Sequence, residues 1–114
     1  MFKVHQVTLN DFDAIIIEAH GWKEAGNFSD KVKAYTLGAM KGDHQTSFSL
    51  GHHKHVSTIE ANDLNAVFDI GNIGPEELIT RHAPMHSVSL GDVIETPDGE
   101  FFAVASMGFT KLEV

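Results

Sequence analysis

Apolar and polar residues alternate from Phe2 to Leu9, a period of two that predicts a first β-strand. Asn10 and Asp11 then offer capping side chains ahead of the apolar run Ala14–His20. That run admits two readings: its consecutive isoleucines suit a buried strand, while the Asn10 cap argues for a helix, and the helix is preferred. Gly21–Asn27 reads as a loop with Trp22 anchoring it to the core. Ser29–Gly42 is the better helix. Ser29 serves as N-cap, Val32, Tyr35 and Ala39 fall on one face with Met40 beside them, and Gly42 is the stop. Gly38 inside it costs helix stability and marks a place of close packing.

Further along, Phe48–Ile59 has the pattern of a strand or a hairpin centred on Gly51. Asn62–Gly71 predicts a short capped helix with Leu64, Val67 and Phe68 at helical spacing. Gly74–Arg81 predicts one more helical turn, with Pro75 at its first position and Glu76 and Glu77 in the first turn, ended by Pro84. From Met85 to Phe109 the alternation of Val88, Leu90, Val93, Phe102 and Val104 predicts a β-meander. Its turns fall at Gly91-Asp92, Pro97-Asp98-Gly99 and Met107-Gly108. Ser87 and Ser89 would share one sheet face, Val88 and Leu90 the other. The expected architecture is α+β: a single domain over residues 1–114, with an antiparallel sheet, a C-terminal β-meander and two to four short helices.

Composition narrows the function. The 114 residues suit one domain with a modest core, and the absence of cysteine removes disulfides, thiolate nucleophiles and cysteine zinc sites. No apolar run is long enough to cross a bilayer, and the N-terminus lacks a signal-peptide core, so a soluble, cytoplasmic protein without membrane contact is expected. Charge is uneven. Acids and lysines balance in residues 1–59, whereas residues 60–114 carry ten acids against Arg81 and Lys111 and supply the whole net charge of −8. A direct nucleic-acid binder would present a basic face, which disfavours that function.

The segment Met85–Ile94, followed by a turn, Phe102–Val104 and Ser106–Phe109, resembles the YodL-like family, small proteins of phages, plasmids and other mobile elements. The pattern is Ser-hydrophobic-Ser-x-x-Asp-Val, a short turn, and Gly-Phe near the end; Leu64 and Phe68 fit the short helix that usually precedes it. The likeness covers roughly residues 60–112. It implies a phage or mobile-element setting rather than an activity, and it carries over no catalytic residue.

Chemistry-bearing residues are sparse apart from histidine. His53 and His55 would lie on one side of a strand, and with His82 or His86 they could complete a zinc site, with Asp43 and His44 as further donors. The competing reading is a solvated strand edge. No G-x-S-x-G elbow or phosphate loop appears, and the Glu76–Glu77 pair is explained by the helix dipole. These absences weigh against an enzyme. The expected function is therefore a small accessory protein that binds a host or phage protein through its acidic half, using Glu76, Glu77, Asp98 and Glu100 with Trp22 or Phe101 as aromatic anchor. A histidine-cluster metal protein and an acidic DNA mimic are the alternatives; partner and oligomeric state are not legible in the chain.

Overall fold

β1 (Phe2–Gln6) is the axis of the fold, because both of its edges are paired. In the computed structural model, which describes residues 1–114, it lies antiparallel to β2 (Lys54–Ile59) on one side and to β4 (Val93–Glu95) on the other. β3 (Ile79–Arg81) extends the sheet beyond β2; β5 (Phe101–Val104) and β6 (Phe109–Lys111) extend it beyond β4. The order is β3-β2-β1-β4-β5-β6, antiparallel throughout. The chain is thus a single α+β domain whose last three strands form a meander.

Antiparallel partners share a face, and the registers sort the side chains. Val4, Ile94, Phe102 and Lys111 form one row on the first face; His55, His5, Val93, Ala103 and Thr110 form a row on the second. A bulge between Val4 and His5 inserts an extra β2 residue, and Val56 and Ser57 are both fully buried there. α4 (Leu64–Ile73) covers the first face, where Val67 joins Phe2, Val4, Val56, Ile59, Val88, Ile94 and Val104 in the main core. Phe48 of α3 (His44–Ser49) covers part of the second face, on Val93, Ala103 and Leu112.

Local chemistry sets the helices. α1 (Asp11–Ala25) begins with a capping box: Asn10 Oδ1 accepts from Asp13 N–H and Asp13 Oδ2 accepts from Asn10 N–H, both at 2.9 Å. Asp13 also meets Lys31 Nζ at 2.7 Å, which ties α1 to α2 (Asp30–Ala39). Burial works to raise that carboxyl, but the ammonium and the Asn10 amide hold it below its ordinary range. Ser29 caps α2, Asp43 caps α3 and Asp63 caps α4.

The structure corrects several expectations. β1 ends at Gln6, where its pairing with β2 ends, and the alternation ends with it, since Gln6 and Val7 are both buried. Gly21 leaves helical geometry (φ 76°, ψ 162°), yet helix resumes to Ala25, so the predicted loop is mostly helical. Trp22 does not enter the core; it is 42% exposed and stacks on Tyr35. Phe48 belongs to α3, with the Asp43 cap starting that helix, and Gly51 (φ 78°) lies between it and β2. The helical turn after Pro75 is a single 3-10 turn, Glu76–Leu78, and the chain then extends into β3.

Residues 85–92 form no strand, so Ser87 and Ser89 share no sheet face. The segment is pinned instead by side chains. Gln6 Nε2 donates to His86 O and to Asp92 Oδ2, both at 2.9 Å, and Gln6 Oε1 accepts from His86 N–H at 3.2 Å. Asp92 Oδ2 also accepts from Ser89 N–H at 2.9 Å. Gly91 (φ 91°) turns the chain into β4 and lies against Gly38 of α2, where the sequence marks close packing.

Candidate functional site: an acid-lined groove and a histidine row

α4 leaves the β5–β6 end of the first face uncovered. Between its N-terminal end and the β4–β5 turn lies a groove of about 660 Å3. Phe2, Leu64, Phe102 and Phe109 give it apolar surface, and Asp63, Asp98 and Glu100 line it with acid. Each acid has a different commitment. Asp63 caps α4 through Ala66 N–H at 2.8 Å, Glu100 meets Lys111 Nζ at 2.5 Å, and Asp98 is exposed in the turn with no ion pair. Apolar surface bordered by carboxylates can hold an aromatic or aliphatic side chain while attracting neighbouring ammonium or guanidinium groups.

Two of the sequence-derived binding residues, Asp98 and Glu100, come together here. The others lie elsewhere. Glu76 is paired with Arg81, and Glu77 shares its exposed 3-10 turn. Trp22 sits on α1. Phe101 points to the second face, where its ring lies 5.3 Å from Phe48 and 5.9 Å from His5. Phe102, one residue on, faces the groove. Strand alternation separates these two rings, but only the register assigns each to its face.

The second face carries the histidines. Across β1, β2 and the end of β3, His5, His55 and His82 form a row with ring centroids 5.3 and 4.9 Å apart. His5 Nε2 lies 3.0 Å from Glu95 Oε1; His55 Nε2 and His82 Nε2 lie 3.3 and 2.9 Å from Thr58 Oγ1. His53 is outside β2, with Nε2 3.1 Å from Gly91 O and its ring edge-on to Phe48. His86 stands apart beside Asp92. No three of these groups, with or without a carboxylate, converge closely enough to hold one metal ion. His5 was missed as a member of the row because it pairs with His55 only through the sheet register, fifty residues along the chain.

Burial shifts several of these groups. The Asp92 carboxyl is pushed up to about 6 by burial, against the opposing pull of the Ser89 amide, His86 and Gln6. His5, His53 and His44 are lowered, in each case chiefly by burial. The signs oppose. An acid raised above its unfolded value of about 3.9 costs stability above pH ~6, a cost relieved as pH falls toward 4. A lowered histidine contributes stability that is present above pH ~6.5 and is lost as pH falls through the folded value. Between pH 7.5 and 5 the three histidines lose stability while Asp92 gains it. Asp92→Asn removes the opposing effect, so its melting temperature should fall more steeply than the wild type's between those two pH values. Parallel thermal melts check this, and an equal or shallower fall would mean that Asp92 ionises normally.

The fold and groove define a small α+β domain with an acid-lined, partly apolar groove. No family model, curated protein or solved structure matches the chain. No helix is long and apolar enough to cross a membrane.

Proposed function

We propose that this chain is a small cytoplasmic binding module of a phage or mobile element, and that it takes a basic segment of a host or phage protein into the groove between α4 and the β4–β5 turn. The observation that carries the reading is the joining of Phe2, Phe102 and Phe109 with the unpaired Asp98 in one groove, which Asp63 and Glu100 also border. The net charge of −8, concentrated in the half that builds most of it, supports a basic partner. The resemblance of residues 60–112 to YodL-like proteins supports the genomic setting. Phosphate mimicry has less support, since Glu76 and Glu100 are already neutralised by Arg81 and Lys111.

A short peptide with a central phenylalanine flanked by valines and lysines tests the reading, with a glutamate-flanked counterpart as control. The lysine peptide should bind and the glutamate peptide should not, and added salt should weaken the complex. Phe102→Ala should reduce affinity at least about tenfold, as loss of a central aromatic anchor does. Asp98→Asn should reduce it about threefold, the scale of an exposed charge contact. Equal binding of both peptides, or no effect of Phe102→Ala in a variant that still melts cooperatively, would reject the groove.

A further inference from the structure

The groove reading, on which this inference rests, says what the partner carries; the sheet edge beside the groove says how its backbone is held. β6 is the outer strand, and its Phe109 side chain lines the groove. In an antiparallel pair, alternate residues turn their N–H and C=O toward the neighbouring strand. Ala105 N–H donates to Gly108 O at 3.0 Å, Leu112 N–H donates to Phe101 O at 2.8 Å, and Thr110 lies opposite Ala103. Gly108, Thr110 and Leu112 therefore face β5, while Phe109, Lys111 and Glu113 face outward.

Glu113 is already occupied. Gln45 of α3 lays its side-chain amide along that residue: Nε2 donates to Glu113 O at 2.9 Å, and Oε1 accepts from Glu113 N–H at 2.8 Å. Those are the two hydrogen bonds that one residue of an added strand would make. Phe109 and Lys111 have no such partner on the outer side. Glu113 follows this edge in the chain, Glu100 is paired into it through Lys111, and Asp98 lines the same groove as Phe109.

We propose that β6 accepts an extended, lysine- or arginine-bearing segment of a partner protein as a seventh strand, held by the outward backbone groups of Phe109 and Lys111. Every second side chain of that segment lies on the groove face, beside Phe109. Gln45 sets the limit of the pairing, because a strand running on toward Glu113 meets an amide already in place. A second copy of this chain is the poorer occupant, since it brings another net charge of −8 against the same acids.

Proline separates backbone from side chain here. Lys111→Pro removes an outward N–H, which an edge strand tolerates, together with the ammonium that Lys111→Ala also removes, and leaves the Thr110 and Leu112 pairing intact. With the lysine-flanked peptide as probe, Lys111→Ala should bind within about twofold of wild type and Lys111→Pro about tenfold more weakly, the scale of a lost backbone pairing. In wild type, peptide should slow hydrogen exchange at the Phe109 and Lys111 amides and leave Thr110 unchanged, a readout that holds even if Lys111→Pro fails to fold. Equal affinity of the two Lys111 variants, with Phe102→Ala still weakening, would overturn strand addition and spare the groove. No effect of Phe102→Ala would remove the groove reading itself. A dimer of the peptide-free protein that Lys111→Pro dissociates would overturn the choice of partner.

Discussion

Gly91→Ala should destabilise the protein by about 3 kcal/mol or more, the sum of a left-handed backbone penalty of roughly 1–2 kcal/mol and an overpacking cost of similar size. Gly91 has φ 91°, which a side chain rarely adopts. A Cβ built there would lie 2.9 Å from Ala39 N and 2.9 Å from Gly38 C, both backbone atoms of α2. Neither can swing aside as a side chain could. Retreat of α2 would disturb the buried Val32 and Ala34 and the Ser47 hydroxyl that donates to Ala34 O at 2.5 Å. Gly99→Ala is the control: it shares a positive φ of 83° but has nothing within 4 Å, so only the conformational part, about 1 kcal/mol, should remain. Denaturant unfolding of both variants measures the difference. Equal losses would mean that α2 and the turn into β4 do not meet as tightly as described.

Gln6→Leu should cost about 3 kcal/mol, because a buried amide with three bonds is replaced by a side chain that can make none. His86 would lose a partner at both its N–H and its C=O, and Asp92 would lose a donor, which lifts its carboxyl further. Gln45 makes the same pair of bonds to Glu113 at an exposed position. Water can replace Gln45, so Gln45→Leu should cost less than about 1 kcal/mol. Chemical denaturation of the two variants under one condition compares the same two-bond pairing to a backbone residue buried and exposed, with the Asp92 bond added at Gln6. If the two losses match, burial of Gln6 is not what makes its bonds matter.

Features set by a few neighbouring residues were legible in the sequence. The Asn10 and Ser29 caps and the turn at Gly91-Asp92 follow from side-chain chemistry within a few positions; Gly38 announced close packing but not that Gly91 is what it meets. Features made by distant pairing were not. β3 has three residues and is a strand because Ser57, Thr58 and Ile59 offer it an edge. α3 was hidden because His44–Ser49 is polar apart from Phe48, and Asp43 suits a metal donor as well as a cap. Gln6 continues the apolar face of β1 with a polar side chain, and nothing local says that residues 86 and 92 will satisfy it. The groove needs residues 61–65 and 96–109 side by side, so Asp98 and Glu100 could be singled out for charge while Phe102 could not be told from Phe101.

The position of β1 also bears on how the chain is made. β1 leaves the ribosome before either of its partners, residues 54–59 and 93–95. At roughly 5–20 residues per second, β1 waits on the order of ten seconds for β4 to be synthesised. During that interval β1 has at most β2 beside it, which leaves one edge and much of Phe2 and Val4 uncovered, so nascent chains should engage holding chaperones until β4 has emerged. Contacts this distant in sequence also slow the final search, since loop closure precedes any gain from pairing. Early termination after β2 would release a chain whose central strand has one neighbour instead of two, and such a fragment should be cleared by proteolysis rather than persist as a partial fold.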